Sequence, residues 1–157
     1  FKDETIKQFV IEQLVDNRLW LMAAKDMGIT VSDGDLREMI VRVPEFQKNG
    51  AFDPELYQRL LAANHLTPKV FEEAQAKEIL GNKARMFVRD AVALTPSEIS
   101  EGQALMTRQP DADPTKAAAA KDRVLQDMLF QKQQRALVAF QESLKGKIPV
   151  KVHRELL

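Results

Sequence analysis

Apolar positions recur at helical spacing from the first residues to beyond position 140, and period-two alternation is nearly missing until the C-terminal tail. The spacing predicts a first helix over 3–27, with Ile6, Val10, Leu14 and Leu21 on one stripe and Ile11, Val15 and Met22 beside it. With Phe9, Leu19 and Trp20 added, the apolar arc is wide, as in a helix covered by several neighbours. Gly28 is its expected C-terminal cap. A second helix is expected over 33–43 with Leu36, Met39, Ile40 and Val43 inward, stopped by Pro44. Lys48-Asn49-Gly50 between Phe46 and Phe52 is a tight-turn signal. Further helices follow over 54–64, 68–92 and from 96 to near 106.

Helix punctuation supports these starts. In Asp53-Pro54, Thr67-Pro68, Thr95-Pro96 and Asp113-Pro114 the first residue offers an oxygen to unsatisfied amides, and proline sits where its missing N–H costs nothing. Ser32 and Asp35 have the spacing of a capping box, with Asp in place of Glu. Thr107-Arg108-Gln109-Pro110-Asp111-Ala112-Asp113-Pro114 is the clearest connector. Beyond it, 115–145 reads as one long helix ending at Gly146, with five polar residues (Gln131 to Arg135) interrupting its apolar positions. The tail, Ile148 to Val152, is an edge strand or an extended strap. A 157-residue globule has a diameter of ~39 Å. The last helix would be roughly 45 Å long, so the expected fold is all-α and elongated.

Composition narrows the function. The chain has 23 Lys+Arg against 23 Asp+Glu, no cysteine and 45% hydrophobic residues, which excludes disulfide scaffolds, thiol enzymes and zinc ribbons and argues against disorder. A nucleic-acid partner would require a basic surplus or interleaved aromatics around Lys132, Arg135, Lys145, Lys147 and Lys151, and neither is present. No apolar run is long enough for a membrane span. Phe1 is no initiator Met and no secretory signal follows it, so the chain reads as a mature or trimmed product.

Candidate chemistry is sparse. His65 falls at a helix end, where it reads as a cap, and His153 lies in the tail. No spacing converges three or four metal ligands, no glycine-rich loop cradles phosphate, and Glu72, Glu73 and Glu78 read as a solvated helix face. Catalytic residues, metal and cofactors are therefore all expected to be none. Met22, Met39 and Met128 are assigned to the core, whereas Met86 and Met106 remain open between core and an adaptable surface.

Three segments resemble a known family. Leu21-Met22-Ala23-Ala24-Lys25-Asp26-Met27-Gly28-Ile29-Thr30-Val31-Ser32-Asp33 looks like the helix-to-helix signature of SurA/PpiD-type periplasmic chaperones. The stretch Val43-Pro44-Glu45-Phe46-Gln47-Lys48-Asn49-Gly50-Ala51-Phe52-Asp53-Pro54-Glu55-Leu56-Tyr57 resembles that family's "P-x-F-Q-x-N-G-x-F-D-x-x-x-Y" block and is followed by Leu66-Thr67-Pro68 and Phe71-Glu72. The long helix with Lys132, Ala136, Phe140 and Leu144, and the tail after it, are similar to the family's closing helix and strap. The resemblance implies a SurA-like N-terminal chaperone region at 1–106. A linker at 107–114 takes the place where the family inserts a parvulin isomerase, and the 115–157 helix and tail would pack back on the N-terminal region. No parvulin domain fits in that linker, and the family's opening segment is missing as well, so isomerase activity is not carried over.

The implied function is ATP-independent, extracytoplasmic (periplasmic) binding of unfolded polypeptides in outer-membrane or secreted protein folding. The candidate client contacts are Phe46, Phe52, Tyr57, Met86, Phe87 and Met106, although the first three are expected rather to pack the turn between helices. Two other readings stay open. One is a helical assembly module, homodimeric by swapping of the long helix. The other is a fragment of a parvulin-type peptidyl-prolyl isomerase whose catalytic domain lies elsewhere.

Overall fold

The computed structural model describes residues 2–107 and 113–153, and of these the side chains of residues 2, 3, 106 and 107 lie outside the description. Among the described residues there are six α-helices: α1 (Lys2–Asp26), α2 (Asp33–Val41), α3 (Pro54–Ala63), α4 (Pro68–Asp90), α5 (Pro96–Thr107) and α6 (Pro114–Lys147). Two two-residue strands, β1 (Gln47–Lys48) and β2 (Ala51–Phe52), pair antiparallel in the register Gln47↔Phe52 and Lys48↔Ala51. The all-α class and the long final helix follow the sequence pattern. Residues 108–112, most of the expected connector, lie outside the described residues. The chain divides into two compact units, Phe1–Ala84 with Val152–Leu157, and Arg85–Lys151.

In the first unit, caps set the helix limits. α1 closes as foreseen at Gly28, whose φ of 71° lets its N–H reach the Lys25 carbonyl (3.0 Å) while Ile29 N–H reaches Ala24 (2.9 Å). That pair of bonds is the Schellman closure. α3 closes identically, with His65 in the left-handed position (φ 57°): His65 N–H bonds Ala62 and Leu66 N–H bonds Leu61. His65 therefore caps through its backbone, in a conformation its Cβ disfavours. His65→Gly is expected to stabilise the fold by about 0.5–1 kcal/mol. A raised urea midpoint would register this gain, and a lowered one would show that the imidazole itself contributes.

α2 stops two residues before the expected limit. Val43 precedes Pro44 and is extended (φ −67°, ψ 116°), as steric clash with the proline ring demands. A 3₁₀ turn, Pro44–Phe46, leads into the ribbon. Asn49 and Gly50 both have positive φ (55° and 80°), the requirement of a two-residue type I′ hairpin. The core beneath is Ile40, Phe46, Tyr57 and Leu61, with Leu36, Met39, Val43, Phe52, Leu60 and Phe71 packed against it. All four residues expected on the inner face of α2 belong to this cluster.

α1 corrects the sequence reading. Its buried residues are Leu19, Trp20, Ala23 and Ala24, whereas Ile6, Phe9, Val10, Leu14 and Met22 are exposed. Met22 is thus no core residue. The fully buried positions of the helix all lie in its second half, and two of them are alanines.

In the second unit α5 packs on α6. The close point is buried Gly102, where a Cβ would meet Met128 Sδ at 2.7 Å and Leu125 Cδ2 at 3.0 Å. α6 runs through Gly146 and ends at Ile148, which is extended ahead of Pro149 (φ −110°, ψ 116°). Proline, not glycine, ends the helix. Residues 149–153 form neither helix nor strand, so the expected edge strand is not formed there.

Candidate polypeptide-binding surfaces

The family-like block builds a groove by way of its core. Phe46 stands edge-on to Tyr57 (centroids 4.9 Å apart, 81°) and to Phe71 (5.7 Å, 83°), and Phe52 tilts against Tyr57 at 5.7 Å. These rings fix α3 and the start of α4 around the 3₁₀ turn. Gln47 secures the ribbon: its Nε2 donates to the Val41 carbonyl (2.8 Å), an acceptor in the last turn of α2. Asp53 caps α3 by accepting from the N–H groups of Glu55 and Leu56, both at 3.0 Å.

The outer side of this cluster opens as a groove of about 630 Å³, floored by Leu36, Ile40, Val41, Phe52 and Tyr57, with Asp33, Arg37 and Glu72 at its polar margin. The Tyr57 hydroxyl donates to Glu72 Oε1 at 3.2 Å. Burial, with the Glu72 carboxylate beside it, pushes the phenol up to about 12, so it remains a donor throughout the neutral range. Glu72 is half-buried, which corrects its assignment to a solvated face.

Two lysines bind helix starts in the same way, one in each unit. At α2, Ser32 and Asp35 complete the capping box, with Ser32 N–H to Asp35 Oδ2 at 2.8 Å and Asp35 N–H to Ser32 Oγ at 3.1 Å. Lys83 Nζ reaches the same Oδ2 (2.7 Å) and the Thr30 carbonyl (3.2 Å). At α5, Thr95 and Glu98 form the equivalent box, with Thr95 N–H to Glu98 Oε2 at 2.7 Å. Lys132 Nζ joins that Oε2 (2.7 Å) and the Ala93 carbonyl (2.9 Å). The Lys83 and Lys132 hydrogen bonds, followed by those from the capping residues, hold both carboxylates down, Asp35 well below the usual range and Glu98 at about 2. The polar interruption of α6 is therefore the place where it staples α5. The sequence reading missed both partnerships, and no signal marks them beyond an acid at the third helical position.

Of the six candidate contact residues, Phe46 and Tyr57 are buried at 7% exposure, Phe52 is half-buried, and Met86 and Phe87 are exposed at 49% and 62%. The Met106 side chain lies outside the described residues. Large apolar side chains are uncovered along the helices: Ile6, Phe9, Val10 and Leu14 on α1, Leu105 on α5, and Phe130 and Val138 on α6. Among the described residues no group of three or more His, Asp or Glu is placed to hold a metal ion, and no helix is long and apolar enough to cross a membrane.

The sequence profile of the SurA-like N-terminal domain matches residues 1–85. The chain belongs to that family. The SurA-like region covers α1 to α3 and most of α4, including the aromatic cluster, the groove and the Lys83 staple. Curated relatives are named periplasmic chaperone PpiD. That of Haemophilus influenzae is 37% identical over 62 residues (40% of this chain, 10% of the relative). That of Haemophilus ducreyi is 39% identical over 67 residues (41% and 11%), and that of Escherichia coli K12 is 24% identical over 106 residues (68% and 17%). The SurA-like chain thus spans between a tenth and a sixth of the length of these relatives. No solved structure matches it.

Proposed function

We propose that this SurA-like chain is an ATP-independent holding module for unfolded polypeptides, working in the periplasm or an equivalent extracytoplasmic space. The observation that carries the reading is the amount of large apolar surface left in water, with Phe9, Phe87 and Phe130 each about 60% exposed. On α1 the exposed Ile6, Val10 and Leu14 follow one another at i, i+4 and i+8, and a continuous apolar stripe of that kind marks a place where another chain sits. The PpiD relatives support the compartment and the chaperone role. The mechanism is passive. Apolar client segments cover the exposed rings, and clients leave when their own folding buries more surface. Zero net charge with a mixed-sign rim sets no long-range preference among clients.

The test is light scattering from a chemically unfolded client diluted into buffer. Equimolar chain is expected to suppress aggregation. Full burial of a phenylalanine contributes about 1.5–3 kcal/mol, so Phe87→Ser with Phe130→Ser is expected to raise the half-suppressing concentration about tenfold. Absence of suppression at stoichiometric amounts rules the reading out.

The stripe Ile6, Val10 and Leu14, three exposed residues at i, i+4 and i+8 on α1, favours a second reading, a partner helix as in an assembly module or a homodimer. Sedimentation separates the two. A tight dimer indifferent to unfolded chains supports assembly, and a monomer that binds them supports holding.

A further inference from the structure

The groove of the first unit carries a charge imbalance that the aromatic core does not need. Its floor is apolar, and its margin holds two carboxylates, Asp33 and Glu72, against one guanidinium, Arg37. Arg37 stands one turn along α2 from Asp33, so the margin carries one more negative than positive charge. Glu72 is left over. It is half-buried, and its one hydrogen-bond partner among the described residues is the neutral hydroxyl of Tyr57. No Lys or Arg among the described residues lies within ion-pairing distance of it. A half-buried carboxylate facing an apolar trough and satisfied by a single phenol is poised to accept a cation.

We infer that this groove binds an extended polypeptide segment in which an aliphatic or aromatic side chain stands next to a lysine or arginine. The apolar side chain fills the trough over Leu36, Ile40, Val41 and Phe52, and the cation reaches Glu72. The inference rests on the holding role proposed above and adds a preference to it. The exposed phenylalanines take any apolar segment, whereas the groove selects basic-apolar ones. Successive side chains of an extended chain point to opposite faces. The segment therefore lays its apolar side chain into the floor while the neighbouring long basic side chain, turned to the margin, bends back to the carboxylate. Arg37 works against this occupant and keeps the affinity moderate, which suits a module that must release its clients.

The experiment uses the full chain and two fluorescein-labelled ten-residue peptides of equal length and leucine content, one spacing leucines with lysines and the other with glutamates. The lysine peptide is expected to bind at least fivefold more tightly, with the difference shrinking as salt rises from 50 to 500 mM. Glu72→Gln keeps an acceptor for Tyr57 and is expected to weaken the lysine peptide about fivefold while leaving the glutamate peptide unchanged. Arg37→Gln, at an exposed position, is expected to tighten the lysine peptide about twofold. Methyl resonances of Leu36, Ile40 and Val41 are expected to shift on titration. Equal affinity for the two peptides, a preference that survives Glu72→Gln, or shifts confined to other methyls would overturn the inference. The two proposals fail separately. Aggregation suppression without charge preference removes the groove's selectivity and leaves the holding role. Groove binding of the lysine peptide by a chain that suppresses no aggregation removes the holding role and upholds the site.

Discussion

Phe46→Ala is expected to lower the unfolding temperature of the chain by about 10–20 °C, the largest effect of any single substitution considered. Phe46 is 7% exposed and meets two rings edge-on, Tyr57 at 4.9 Å and Phe71 at 5.7 Å. Truncating a buried phenylalanine costs about 3–5 kcal/mol, because the cavity adds to the lost transfer energy. Here the edge-to-face contacts are lost as well, each worth about 0.5–1.5 kcal/mol. Those contacts join the 3₁₀ turn to α3 and α4, so the groove is expected to lose its floor along with the stability. Circular dichroism at 222 nm against temperature reads the shift. A drop of under about 3 °C would place the core of the first unit elsewhere.

Acid is expected to unfasten the second unit between about pH 4.5 and pH 2. Glu98 ordinarily titrates at 4.5 and is held at about 2, by the hydrogen bond from Lys132 first and by Thr95 next. A carboxylate whose pKa is lower in the folded chain contributes stability that is fully present above its unfolded value and is lost as pH falls through its folded value. The loss therefore falls on the acid side of neutrality. In the first unit, Asp35 is depressed further by Lys83, and the corresponding loss there continues to lower pH. Glu98→Gln removes the ionisation and retains acceptors for Thr95. Denaturant unfolding is expected to show it weaker than the parent chain at pH 6 and equal to it at pH 2. Two curves that stay parallel over the whole window would falsify the staple as a source of stability. High salt is expected to shrink the difference, because the pair is partly solvent-exposed.

Both results bear on how much of the molecule can be read from its residues. Helix positions were legible because their causes are local. Ser32, Asp53, Thr95 and Asp113 cap, the prolines after the last three start helices, and Gly28 closes α1. Two stops were misplaced where proline acted one residue early, at Val43 before Pro44 and at Ile148 before Pro149. The glycine signal at Gly146 proved subordinate to the proline after it. Asn49-Gly50 announced its turn through the positive φ that both residues accept, and the family-like block around it proved to be the aromatic core.

Faces were less legible than lengths. On α1 the hydrophobic pattern put Ile6, Val10, Leu14 and Leu21 on the main stripe and included Leu19 and Trp20 in a wider arc. Leu19 and Trp20 are buried, but Ile6, Val10 and Leu14 are exposed, and Ala23 and Ala24, which a hydrophobicity count undervalues, are buried instead.

The sequence by itself determined the helical content, the caps and turn that bound it, the family, and the absence of cysteine chemistry, since all of these depend on neighbours within a few residues. Only the tertiary structure decided which apolar residues stay in water, that Lys83 and Lys132 reach the capping acids of other helices, and that Glu72 faces a groove with a phenol as its partner. Those pairings join positions from 15 to 48 residues apart, and at that separation contact is set by how the helices pack, which no local pattern of residue types records.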